Sequence, residues 1–187
     1  GGTTITPYGE NPIEIFAILR NEQKKFLKNL SQITDINTGT LKTIRRLSMQ
    51  ISARNQISGT VELIEHGKIN AEIFIKLKSG YTLVSVITNT AANNLNLEIG
   101  DEVVAIFKSS TVLITTDITL NISARNKFQG TVDSINQDEI NTELVIDIGN
   151  NDKIASVITS SSFERLKIEK GTQVSAIIKA SDVIIGK

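Results

Sequence analysis

Ser52-Ala53-Arg54-Asn55 recurs as Ser123-Ala124-Arg125-Asn126, 71 residues further along the chain. Carried forward without a gap, the same offset aligns Gly59-Thr60-Val61 with Gly130-Thr131-Val132, and Ser85-Val86-Ile87-Thr88 with Ser156-Val157-Ile158-Thr159. It also aligns Ala105-Ile106 with Ala176-Ile177, and Lys108 with Lys179. About four in ten aligned positions are identical. The C-terminal two thirds is therefore a tandem duplication, and a repeat of this length is near the lower limit for a self-sufficient core. The two copies are expected to support each other or a second subunit.

Each copy reads as short strands. In the first, Gly59 to Ile64, Ile69 to Leu77, Tyr81 to Ile87, Glu102 to Phe107 and Val112 to Ile114 are bounded by turn signals at His66-Gly67, Ser79-Gly80 and Gly100-Asp101. Ile73, Ile75 and Leu77 alternate with polar neighbours and so share one face. A short helical piece from Asn89 to Leu95 precedes the fourth strand. Five strands with one small helix inserted predict a compact barrel like the OB-fold, and two of them in tandem.

Ahead of the repeats, Asn11 suits an N-cap, Pro12 the first helical position and Glu14 a capping box. Ile15, Leu19, Phe26 and Leu30 fall near one face of an amphipathic helix of about five turns, whose apolar side needs a partner. Leu41 to Met49 permits a second short helix. The expected organisation is residues 1–50 as the end of a preceding domain plus a linker or dimerisation helix, 51–120 as the first module and 121–187 as the second. The fold class is mainly β: two tandem OB-like barrels preceded by an amphipathic α-helix. Met49 is the only methionine, so the sequence reads as a processed or cut product.

Composition narrows the function. The chain has 187 residues, with 20 basic and 20 acidic side chains. This balance gives no whole-molecule attraction to nucleic acid or membrane, so a charged ligand must be held locally. There is no cysteine, hence no disulfide, thiolate metal site or thiol catalysis. No apolar stretch is long enough to span a bilayer and no signal peptide opens the sequence, so a soluble, cytoplasmic protein is expected. Aromatics make up 4% of the chain, too few for the stacking platforms of single-strand binders. The one histidine, His66, sits in an expected hairpin turn, which argues against enzymatic acid–base work.

The recurring polar residues suit an oxyanion. Thr88 ends an apolar strand and can cap the helix that follows, leaving the N–H groups of Thr90 and Ala91 at a helix start that favours negative charge. Arg54 offers a planar fork of donors, Lys108 a compact charge and Ser52 a hydroxyl. Ser123, Arg125, Thr159 and Lys179 repeat the set, and Ser162 adds a hydroxyl where the first copy has Ala91.

These residues, with Gly100-Asp101-Glu102-Val103 and Ile106-Phe107-Lys108-Ser109-Ser110, resemble the Mop (molybdopterin-binding-protein-like) or TOBE module. Ile178-Lys179-Ala180-Ser181-Asp182-Val183-Ile184 in the second copy resembles it equally. Thr6-Pro7-Tyr8-Gly9, the amphipathic helix and Arg46-Leu47-Ser48-Met49-Gln50 narrow the resemblance to ModE-type molybdate-responsive transcriptional regulators, without their winged helix-turn-helix head. The resemblance implies molybdate or tungstate as effector and binding at interfaces between modules. It also implies a homodimer that reaches DNA only through a domain absent from this chain. A first oxyanion set would be Ser52, Ala53, Arg54, Thr88, Ala91, Lys108 and Ser109. Of these, Ser52, Ala53 and Arg54 come from one subunit and Thr88, Lys108 and Ser109 from the other. A second set would be Ser123, Ala124, Arg125, Thr159, Ser162, Lys179 and Ala180. No metal is ligated directly by protein. The alternative is a molybdate or tungstate storage protein of the Mop type. The tail of a molybdate import ATPase would need a phosphate-binding loop upstream, and none occurs in this sequence.

Overall fold

A computed structural model describes residues 52–187. The expected helices over 11–30 and 41–49 lie outside the described residues. Ten strands, β1 (Asn55–His66), β2 (Asn70–Leu77), β3 (Thr82–Thr88), β4 (Glu102–Phe107), β5 (Leu113–Thr115), β6 (Asn126–Gln137), β7 (Asn141–Asp147), β8 (Lys153–Thr159), β9 (Gln173–Ile178) and β10 (Ile184–Gly186), form two five-stranded antiparallel sheets. Helices α1 (Asn89–Asn94) and α2 (Ser160–Leu166) follow β3 and β8, and single 3-10 turns occupy Ser109–Thr111 and Ala180–Asp182. The mainly β, tandem-barrel fold class expected from the sequence is the fold observed.

Period-two patterning builds the core. Ala71, Ile73, Ile75 and Leu77 are buried along β2, as are Leu144 and Ile146 along β7, because successive side chains of a strand point to opposite faces. β1 begins at Asn55, four residues before the expected Gly59. Its first half, Asn55 to Thr60, pairs with β4, and its second half, from Gly59 onward, pairs with β2. A register shift between Val61 and Leu63 bends the strand between these duties, and β6 does the same between Val132 and Ser134. The recurring Gly-Thr-Val has a steric cause. A Cβ on Gly59 would lie 2.6 Å from the Lys76 carbonyl oxygen, and one on Gly130 2.5 Å from that of Asp147.

The fifth strand of each sheet departs from the linear reading. The sheet orders are β10-β4-β1-β2-β3 and β5-β9-β6-β7-β8. Each repeat thus gives its last strand to the other: Ile184 pairs with Ile106, and Leu113 with Ile177. The expectation that five strands of one repeat make one barrel is corrected accordingly. Buried serines hold the exchange in place, Ser85 Oγ donating to the Val183 carbonyl and Ser156 Oγ to that of Val112, at 2.7 and 2.8 Å.

Two side-chain amides complete the join. Asn126 accepts from the Val84 N–H at 2.7 Å and donates to the Val84 carbonyl at 2.8 Å. Asn55 makes the same pair of bonds to Ala155. Each amide therefore saturates one backbone position of the other repeat's edge strand, β3 or β8, as a neighbouring strand would.

Asn126→Ala strands both polar groups of buried Val84 and should cost about 2–4 kcal/mol, measured as a lowered urea midpoint with an unchanged slope. A fragment of residues 51–120 lacks β10 and carries a β5 with nothing to close. It should be unfolded or associated in sedimentation; a folded monomer would contradict the exchange.

Candidate functional site

Arg54 immediately precedes Asn55, whose partner across the ladder is Phe107, and Lys108 follows Phe107. The two cationic side chains therefore leave the same end of the first sheet. Lys108 holds the N-cap position of the 3-10 turn Ser109–Thr111, and Thr111 Oγ1 donates to its carbonyl at 2.9 Å. In the second repeat, Asn126 opposite Ile178 sets Arg125 beside Lys179 in the same way. Ser52, Arg54, Lys108, Ser123, Arg125 and Lys179 are exposed, Ala53, Ser109 and Ala124 half-buried, and Ala180 buried.

Thr88 and Thr159 are the N-caps expected of them. Thr88 Oγ1 accepts from the Ala91 N–H at 3.1 Å, and Thr159 Oγ1 from the Ser162 N–H at 3.3 Å. The Ala91 N–H, expected to be free for a ligand, is thus already bonded by the cap. Thr159 also donates its hydroxyl to Ser162 Oγ at 2.9 Å, which leaves the Ser162 proton available to a third group. Ala91 has no equivalent, so the two helix starts differ by one donor.

Thr88 lies at the far end of its own sheet from Arg54. It pairs with Asn70, just past the His66 end of β1, whereas Arg54 stands at the Asn55 end. Between them run the 12 residues of β1, roughly 35–40 Å of strand. Within one chain, the first set grouped from the sequence therefore divides, and the second divides likewise.

Each arginine instead meets the other repeat across the seam between them. Arg54 Nη2 lies 3.1 Å from Glu143 Oε2 on β7, and Arg125 Nη2 lies 2.6 Å from Glu72 Oε2 on β2. Glu143 is opposite Val157 and Glu72 opposite Val86, each two residues short of the capping threonine. The turn at Ser109–Thr111 packs on β8, and the turn at Ala180–Asp182 packs on β3. Arg54 and the turn beginning at Ser109 thus meet β7 and β8 of the other repeat, the latter ending at Thr159 and leading to Ser162. Arg125 and the turn beginning at Ala180 likewise meet β2 and β3, the latter ending at Thr88 and leading to Ala91.

Glu72 and Glu143 were missed by reasoning from the sequence, although they recur at the same offset as the tetrapeptide. The signal was present, but a glutamate within an alternating strand reads as a solvent-facing residue. Arg125 has a further contact, its Cζ standing 5.8 Å from the Phe74 ring centroid. A hydrogen bond from Lys153 holds the Asp133 carboxyl below the ordinary aspartate range and raises Lys153, while bonds from Thr119 lower Asp117. Among the described residues, no group of three His, Asp or Glu side chains could hold a metal ion. No helix there is long and apolar enough to cross a membrane.

Chemically, the two sides of each seam carry an exposed guanidinium with one carboxylate already on it, an exposed ammonium and a threonine-capped helix start. Such a donor set suits a small multivalent oxyanion.

Comparison with known proteins agrees. The TOBE domain family matches residues 51–114 and again 122–185. The chain is 34% identical to the molybdenum transport protein ModE of Azotobacter vinelandii over 99% of this chain and 70% of that protein. It is 33% identical to the molybdenum-pterin-binding protein MopA of Rhodobacter capsulatus, again over 99% of this chain and 70% of the relative. It is 28% identical to the DNA-binding transcriptional dual regulator ModE of Escherichia coli. A solved structure of the cytoplasmic molybdate-binding protein ModG, with molybdate bound, superimposes with a TM-score of 0.71 at 40% identity, covering 74% of this chain and 99% of its own. The repeat, the exchanged barrels and these matches together make the chain a member of the TOBE domain family, in the tandem form found among the ModE and Mop proteins.

Proposed function

We propose that this chain binds molybdate, or its near-isostere tungstate, at the two seams between its repeats. It does so as the effector-sensing part of a molybdate-responsive transcriptional regulator. One observation carries the reading. The arginine of each repeat reaches a glutamate beside the strand that ends in the other repeat's capped helix start, and the turn that follows its lysine packs on that strand, so an anion at either seam is held by both repeats. Arg54, Lys108, Ser109 and the backbone at Ala53 serve the seam of Thr159 and Ser162. Arg125, Lys179, Ala180 and the backbone at Ala124 serve that of Thr88 and Ala91. Ser52 and Ser123, two residues ahead of the arginines, are the hydroxyl donors of the same segments. The names of the relatives and the molybdate-bound ModG structure support molybdate as the anion.

The regulator is the first reading because relatives aligned over 99% of the chain include proteins named as transcriptional regulators, although MopA, named for molybdenum-pterin binding, is aligned over the same extent. Homodimerisation, a cytoplasmic setting and contact with DNA through a region outside these residues belong to the same proposal. Storage is the second reading, favoured by how completely the ModG chain is matched.

Molybdate at about a hundredfold excess over its dissociation constant should stabilise the chain by about 2.7 kcal/mol, read as a rise of several degrees in thermal midpoint. Sulfate at matched ionic strength should do far less, and equal shifts would refute selectivity. Arg54→Ala and Lys108→Ala should each weaken molybdate binding in calorimetry by about tenfold or more, as expected for a lost charge-assisted hydrogen bond of about 1.5–3 kcal/mol. Unchanged affinity in both would refute the site.

A further inference from the structure

We propose that Glu143 and Glu72 are the resident counter-charges of the two seam sites: each neutralises one arm of the site's arginine and thereby sets the affinity for the incoming anion. The inference rests on the anion-binding reading above and deepens it.

Three observations carry it. The pairs are reciprocal and related by the repeat, Arg54 to Glu143 and Arg125 to Glu72, at 3.1 and 2.6 Å. Each crosses the seam, so the carboxylate belongs to the repeat that also supplies the capping threonine. Each bond engages one Nη2, while a guanidinium carries five N–H donors in a rigid fork. The arginine can therefore keep its glutamate and still present other donors to a ligand.

The consequence is electrostatic. Two oxygen ligands bonded to different arms of one guanidinium are about 5–8 Å apart. That is within a Debye length at physiological ionic strength, so a carboxylate and a dianion sharing an arginine repel each other with little screening. Counting arginine, lysine and glutamate, each seam holds a net charge of about +1 rather than +2 when empty. A carboxylate that merely oriented the arginine would give a different signature from one acting as counter-charge. Replacement by the isosteric amide retains an oxygen for the guanidinium and removes only the charge. An orienting role survives that change, whereas a counter-charge role does not.

Isothermal titration of sodium molybdate into the full chain, parent and Glu143→Gln/Glu72→Gln, tests this. The amide variant should bind about three- to tenfold more tightly, the range expected for one half-exposed charge interaction acting on a divalent ligand. Glu143→Ala/Glu72→Ala should also bind at least as tightly as the parent, because the charge is gone there too. Affinity unchanged or reduced in the amide variant, with a ligand-free thermal midpoint close to that of the parent, would overturn the counter-charge role. If Arg54→Ala still weakened binding in that case, the anion site itself would stand. A parent chain that bound no molybdate would bring down both readings together.

Discussion

A side-chain amide standing in for a strand is the interaction on which the remainder of this structure depends. An edge strand carries N–H and carbonyl groups that must find partners or water. At Val84 and Ala155 the partner is an asparagine from the other repeat, bonded through both of its polar ends. The exchanged strands β5 and β10 reinforce the join through Ser156 and Ser85. Neither sheet is complete without residues of the other repeat, so the two repeats share one cooperative fate. The amide also fixes where the charge stands, since each arginine is the residue just before its asparagine. Placing Asn126 at Val84 leaves Arg125 little choice but Glu72 and the end of β3.

The pseudo-symmetry of this arrangement is broken at a few positions, and these make the seams inequivalent. Tyr81 donates to the Gln129 carbonyl and meets Phe128 edge-on at 5.3 Å between ring centroids. Its counterpart, Asp152, instead accepts from the Ser79 N–H at 2.7 Å. Ala91 opposes Ser162, and Phe74 under Arg125 has Val145 as its counterpart. Arg125 is accordingly held more closely than Arg54, with 52% against 65% of its side chain exposed. The seam at Thr159 has the looser arginine and the additional hydroxyl.

Much of this was legible in the sequence, for physical reasons that can be stated residue by residue. The alternation at Ile73, Ile75 and Leu77 fixes the core face of β2, and Thr88 before Asn89 signals its cap, because both signals are local. The strand exchange was not legible. Leu113 to Thr115 is extended and half-apolar whichever sheet it joins, and no local pattern distinguishes its own repeat from the other. That Arg54 and Thr88 stand at opposite ends of their repeat's sheet was not legible either, because it depends on strand pairing and not on a local pattern. The strand reading began at Gly59 and left out Asn55, because a buried amide that substitutes for a strand has no periodicity to betray it.

How an anion at these seams could carry a signal follows from the same constraint. A ligand shifts a conformational equilibrium only by the difference in its affinity for the two states. A seam already closed by two bidentate amides and two exchanged strands provides no open state for the anion to oppose. On the sensing reading, the energetic difference must therefore arise in what remains adjustable at the site. That means the exposed donors of Arg54 and Arg125 and the way each guanidinium divides them between its glutamate and the anion. The rigid seam also keeps the ordering cost of binding low, so most of the interaction energy is free to act on those adjustable groups.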